Sequence, residues 1–158
     1  MDLQEKIEAL EKEFAEKIEI LKSEAQQEQE FFPEIGEYYF YINDTGDIYR
    51  TEYAPPYNDD DYECRKDIGN IFRTRDEACF AVEKLKVEAE LRKFSRPFVW
   101  GEENWILYMS AYRNIFLGYE NDEVCQGVIY FESEEKAEEA IEAVGEERIK
   151  KYIFGIGD

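Results

Sequence analysis

Between residues 2 and 30 there is neither Gly nor Pro, and Leu3, Ile7, Leu10, Phe14 and Leu21 recur among charged neighbours at alternating steps of four and three. Lys17 fills the remaining seam position. That spacing places the apolar residues on one stripe of a helix and predicts a short coiled coil of about three heptads. A lone helix of this length is marginal unless the stripe is covered. Glu and Lys beside the seam favour pairing with a second copy, whereas Ile18 and Ile20 widen the stripe towards docking on the chain's own domain. Ile7, Leu10, Phe14 and Leu21 are therefore candidate oligomerisation residues. "FFPEIG" at 31–36 ends the helix and begins a globular part.

Beyond it the pattern switches to alternation. "EYYFYI" and "DIYRTEY" flank the turn "NDTG", and "NWILYMS" and "NIFLGYE" flank "AYR", which predicts two hairpins. In the first, Tyr39 and Tyr41 fall on one face and Tyr38, Phe40 and Ile42 on the other. After each hairpin comes a strand and an amphipathic helix, and the two stretches match at a separation of 59 residues: "IFRTRDEACFAVEKL" (71–85) and "YFESEEKAEEAIEAV" (130–144). Phe72 aligns with Phe131, Thr74 with Ser133, Ala78 with Ala137, Ala81 with Ala140, Val82 with Ile141 and Leu85 with Val144. Thr74 and Ser133 are N-caps, and Thr74 with Glu77 forms a capping box.

The predicted fold is α+β. A coiled-coil-like helix over 1–31 precedes a domain over 34–158, made of two repeated ββ(β)α units (about 36–96 and 104–152) that share one antiparallel sheet with helices on one face. The first unit's helix carries two stripes. Ala78, Ala81, Val82, Leu85 and Ala89 face one way, and Phe80, Val87, Leu91 and Phe94 the other. The second stripe is expected to meet the N-terminal helix or a second protomer, which makes its four residues candidate oligomerisation contacts in a homodimer.

Composition narrows the function. Apolar residues make up 44% of the chain and aromatics 16%, unlike an acidic disordered chain. With 39 acidic against 19 basic residues the net charge is −20, which argues against direct binding to nucleic acid or to an anionic membrane. Such a surface suits a basic partner, for example the groove of a nucleic-acid-binding protein. Cys64, Cys79 and Cys125 form no CxxC pair and no His exists to complete a zinc site, so they read as free thiols in a reducing compartment, with no metal. The start lacks a signal peptide's basic and apolar regions, and no run approaches the ~18 apolar residues of a membrane span, so a cytoplasmic location is expected. Without His there is no Ser-His or Cys-His pair, and no phosphate-binding glycine motif occurs; a cofactor-free binding protein is expected, not an enzyme.

"YNDDDYE" at 57–63 sets three consecutive aspartates and a glutamate among tyrosines. As a calcium loop it fails, because Glu63 stands where an EF-hand needs Gly and strands, not helices, are expected on both sides. As a surface loop, Tyr57, Asp59, Asp60, Asp61, Tyr62 and Glu63 would form part of a decoy for a phosphate backbone, extended by Glu34, Glu37 and the "EEKAEEAIEAVGEE" helix. Rings on the free sheet face that met Arg73 and Arg75 would make a small nucleotide pocket; cross-strand tyrosine packing is the plainer account.

"IGNIFRTRDEACFAVEKLKVEAELRKF" and "IYFESEEKAEEAIEAVGEERIKKYIFG" resemble a family of small proteins encoded by phages and prophages of Gram-positive bacteria, over about residues 34–156. The resemblance brings no catalytic residues. It implies a phage accessory protein, and anti-CRISPR-like inhibitors of host defence are among proteins of this size and charge. The resulting expectation is an inhibitor that occupies a basic nucleic-acid-binding host defence protein in the bacterial cytoplasm. The other readings are a sponge that sequesters a nucleotide immune signal between protomers, and an oligomeric interaction module whose charge keeps it dissolved.

Overall fold

The computed structural model describes residues 6, 7, 10, 12–21 and 31–157. The chain divides into two compact units, Met1–Ala78 and Cys79–Asp158. Residues 6, 7, 10 and 12–21 are helical, and 12–21 form α1. Their seam positions are open to solvent, Phe14 by 69%. Leu3 lies outside the described residues.

In the first unit β1 (Tyr38–Ile42) and β2 (Ile48–Glu52) pair antiparallel, Tyr38 opposite Glu52 and Ile42 opposite Ile48. Asn43 N–H donates to the Asp47 carbonyl (2.9 Å) and Gly46 N–H to the Asn43 carbonyl (3.2 Å), which closes the turn with Gly46 at φ 87°. A left-handed residue at that position is what a three-residue hairpin loop requires, and Gly adopts it without a Cβ penalty. Phe72 and Phe40 exchange both backbone hydrogen bonds at 2.9 Å, adding a single rung to the outer edge of β1. Helix α2 (Asp59–Asp67) interrupts the connection between β2 and Phe72.

Helix α3 (Arg75–Arg92) begins in the first unit and continues into the second. Its start follows the capping box: Thr74 Oγ1 accepts from Glu77 N–H (3.2 Å), and Glu77 Oε2 accepts from Arg73 and Thr74 N–H (2.9 and 3.4 Å). The second unit has β3 (Ser95–Arg96), β4 (Asn104–Met109), β5 (Ile115–Glu120), β6 (Tyr130–Phe131), α4 (Glu134–Val144) and α5 (Glu146–Tyr152), with the four strands antiparallel in the order β3-β6-β4-β5. Ser133 caps α4 by accepting from Lys136 N–H at 3.2 Å.

Alternation on β4 and β5 sends Trp105, Leu107, Ile115 and Leu117 to a core built from Val87, Leu91, Phe131, Ala137, Ala140, Val144 and Ile149. On the opposite face Tyr108 stacks on Phe116 (5.1 Å), and the Tyr130 ring meets Phe98 edge-on (5.2 Å) while its hydroxyl bonds Cys125 N–H (2.6 Å). Burial and the Glu120 carboxylate, which accepts the Tyr108 hydroxyl at 2.9 Å, push the Tyr108 phenol up to about 12. Asn104 is fully buried and satisfied. Its amide accepts from Val99 N–H and Arg96 and donates to the carbonyls of Val99, Glu102 and Glu120.

Three sequence expectations need correction here. The α+β class holds, but the strands form two sheets, not one shared sheet. Phe72 contributes one rung before Thr74 starts a helix, so the first hairpin has no further strand to carry pairing onward, and the free edge of β6 is taken by β3. The second correction concerns α3. Val87 and Leu91 are buried in the second unit's core and Phe94 packs against it, so these three are not open to a protomer; Phe80, on the same stripe, lays its ring against Tyr152 at 5.0 Å. The inner stripe is covered only in its first half: Ala78 and Val82 are buried, whereas Leu85 is 60% exposed and Ala89 exposed, because the last turns of α3 give Val87 and Leu91 to the core. Finally, "YNDDDYE" is not a loop. Asp59, Asp60 and Asp61 form the first turn of α2, with Arg65 and Lys66 in its last, the arrangement that complements a helix dipole.

Candidate interaction site

Helix α2 has nine residues and an apolar content too low to hold it in place by itself, yet it is fastened at both ends and in the middle. At its start the Asn58 side chain reaches back to the end of β2: Oδ1 accepts from Ala54 N–H (2.9 Å) and Nδ2 donates to the Glu52 carbonyl (2.6 Å). Past its end, Asn70 exchanges two bonds with the backbone of Ile42, accepting from N–H at 2.8 Å and donating to the carbonyl at 2.7 Å. An amide side chain used this way substitutes for a strand rung that the chain does not supply.

Between these clamps Tyr62 turns inward, 4% exposed, with its ring 5.6 Å from Tyr39 and 4.2 Å from Tyr53. One turn on, Arg65 donates to the Tyr39 hydroxyl at 2.8 Å and sets its guanidinium 3.6 Å over the Tyr41 ring, which stacks on Tyr49. Thus the Tyr39/Tyr41 face of β1 is the face that α2 covers. Burial raises the Tyr62 hydroxyl above the ordinary phenol range; at Tyr53, burial and the Asp59 carboxylate act in the same direction.

The outward side of α2 is acidic. Asp59, Asp60, Asp61 and Glu63 are all exposed, and Tyr57, just before the helix, is 93% exposed. Neutralisation is weak: Arg65 approaches Asp61 at 3.9 Å, Lys66 meets Glu63 at 3.2 Å and is held protonated by that hydrogen bond, and Asp60 has no ion pair among the described residues. Of the six residues expected to contact a partner, five are together at the surface. Tyr62 is the exception, since its ring anchors the helix. The sequence argument missed Asn58, Arg65 and Asn70, which position the acids without belonging to them; an Asn on either side of a charged nine-residue segment was the available signal.

Elsewhere, Ile7, Leu10, Phe14 and Leu21 are exposed, and Glu34 and Glu37 lie at a surface turn closed by Glu37 N–H to the Glu34 carbonyl (2.9 Å). On α4 the acidic side chains of Glu134, Glu135, Glu138, Glu139 and Glu142 face solvent. Cys64 and Cys79 are exposed free thiols and Cys125 is half-buried. Among the described residues no group of three or more His, Cys, Asp or Glu is arranged to hold a metal ion, and no helix is long and apolar enough to cross a membrane. No family model matches the chain, and no curated protein or solved structure matches it either.

Proposed function

We propose that this protein is a phage-encoded, anti-CRISPR-like inhibitor of a bacterial defence system, a stoichiometric binding protein whose acidic helix α2 occupies a basic groove that otherwise holds nucleic acid. The observation that carries the reading is the rigid display of Asp59, Asp60, Asp61 and Glu63: four carboxylates on a helix fastened by Asn58, Asn70, Tyr62 and Arg65. Fixed charges lose less side-chain entropy on binding than charges on a free loop, so the same Coulomb attraction yields more affinity. Net charge alone does not single out this helix. Residues 31–78 carry twelve acidic against five basic residues, and 79–158 carry seventeen against ten, a balance of −7 in each.

Two finer readings accompany the proposal. The protein self-associates through its N-terminal helix, supported by the exposure of Ile7, Leu10, Phe14 and Leu21. The two hairpin-and-helix segments are copies of one motif, supported by the matched caps at Thr74 and Ser133. The phage origin rests on the resemblance of the two aligned blocks.

Expression in bacteria that carry one defence system at a time identifies the target as the system that fails. Against that target, the Asp59→Asn/Asp60→Asn/Asp61→Asn variant is expected to inhibit at least about tenfold less, and wild-type affinity to fall as salt rises. A control variant, Asp122→Asn/Glu123→Gln/Glu132→Gln, removes the same formal charge from exposed positions outside α2 and α4 and should inhibit normally. Equal effects of the two variants, or affinity indifferent to ionic strength, would falsify the decoy.

A further inference from the structure

The first unit holds a second feature, on the face of β1 that α2 leaves open. A hollow of about 780 Å³ is lined by Phe31, Phe32, Glu34, Glu37, Tyr38, Arg50 and Arg73. Arg50 lies opposite Phe40 in the hairpin and sets its guanidinium 4.0 Å over the Tyr38 ring, while that of Arg73 lies 5.3 Å from the centre of the Phe31 ring. Among the described residues neither arginine has an ion pair, although the chain has twice as many acids as bases and two glutamates line the same hollow. One of those glutamates, Glu37, is turned to the backbone and accepts from Glu34 N–H at 2.9 Å.

Two guanidinium groups placed over rings and without ion pairs among the described residues have N–H donors to offer, and their fork of donors matches a phosphate. Phe32, half exposed, offers a ring face for stacking. Carboxylates repel an anion but accept from ribose hydroxyls and from an exocyclic amine. Cations, rings and carboxylate acceptors around one hollow correspond group by group to the parts of a nucleotide.

We propose that this hollow is a binding site for a nucleoside phosphate, with Arg50 and Arg73 on the phosphates, Phe32 beneath the base and Glu34 at the sugar. The site lies within one chain; Lys66 of α2 holds its ammonium 5.5 Å from the centre of the Phe32 ring, but none of Asp59, Asp60, Asp61 and Glu63 lines the hollow, so the two proposals stand or fall separately.

Calorimetric titration of the full chain with ADP, adenosine and inorganic phosphate tests it. ADP is expected to bind at least about tenfold tighter than either fragment, since stacking and charge-assisted hydrogen bonds each contribute on that scale. Arg50→Gln and Arg73→Gln should each weaken ADP by about tenfold without lowering the melting temperature, because both side chains are exposed. The Asp59→Asn/Asp60→Asn/Asp61→Asn variant should bind ADP as the wild type does. ADP binding no tighter than phosphate, or unchanged in the Arg50→Gln/Arg73→Gln double variant, overturns the assignment. If either variant melts early, amide shifts induced by ADP in the wild type decide: changes at 31–38, 50 and 73 support the site, and changes confined elsewhere refute it.

Discussion

The two hairpins share a local plan and are held by different forces. In each, the first strand accepts an antiparallel rung from a phenylalanine just before a capped helix: Phe72 on Phe40, and Phe131 opposite Trp105. The second hairpin then buries one face in an aliphatic core, where Val87, Leu91, Val144 and Ile149 surround Phe131. Among the described residues the first has no such cluster; its tyrosines pack on one another and on Arg65, and Asn58 and Asn70 tie α2 down through backbone groups. Apolar burial is non-directional and tolerates small shifts, whereas hydrogen bonds and ring stacking fix geometry. The second kind of adhesion is the one that suits the charge display proposed for α2.

The largest expected effect contrasts the aligned phenylalanines. Phe131 is fully buried and Phe72 half-buried. Phe131→Ala is expected to destabilise by about 3–5 kcal/mol in urea melts and Phe72→Ala by roughly 1–2 kcal/mol, since the cost follows the burial lost and the cavity left. Equal losses would mean that the two phenylalanines are equally enclosed and that the contrast drawn above fails.

Aligned positions also show what could be read from sequence. Both hairpins, both caps and the β1 alternation were legible, because period-2 patterns and hydroxyl caps are local signals. Burial was not: Val144 is buried while its counterpart Leu85 is exposed, although both sit at the same point of the same pattern. Both stripes of α3 are buried in part, Ala78 and Val82 early and Val87 and Leu91 late; in the last turns the choice depends on residues 40 to 60 positions away, since Phe131, Ala140 and Val144 share a core with Val87 and Leu91. Helix α2 was missed for a different reason. The matched turns at Gly46 and Arg113 are 67 residues apart and the matched phenylalanines 59, so the first connection is eight residues longer than the second. The length was visible, but three successive aspartates have poor helix propensity, and it takes dipole placement and the Tyr62 anchor to outweigh it.

Next in size is a comparison of two amides that bind backbone, the buried Asn104 and the half-buried Asn70. Asn104→Ala takes a donor from three backbone carbonyls and leaves Val99 N–H without its acceptor in the second unit, and is expected to cost about 3 kcal/mol. Asn70→Ala leaves the N–H and carbonyl of Ile42 without their partner and should cost about 1–2 kcal/mol. The smaller variant carries the more specific consequence. If Asn70 positions α2, its loss should speed amide exchange through 59–67 while the β4–β5 ladder keeps its protection; uniform exchange in both would show that α2 needs no clamp.

The smallest effect concerns the two turns themselves. Ser110 N–H donates to the Asn114 carbonyl and Arg113 N–H to the Ser110 carbonyl, each at 3.0 Å, the same pair of bonds that closes Asn43 to Asp47. Arg113 therefore occupies the position of Gly46 and takes φ 61°, the one non-glycine residue with positive φ among those described. An L side chain there crowds its own carbonyl, whereas Gly does not. Nothing lies within 4 Å of a Cβ built on Gly46, so any cost of a side chain at that position is a backbone cost. Arg113→Gly is accordingly expected to stabilise by about 0.5–1 kcal/mol and Gly46→Ala to destabilise by a similar amount. Opposite signs in thermal melts would establish that the turns obey one backbone rule and differ only in how well the sequence meets it. Destabilisation by Arg113→Gly would instead assign the arginine side chain a contact that outweighs its strain, and the two turns could no longer be treated as equivalent.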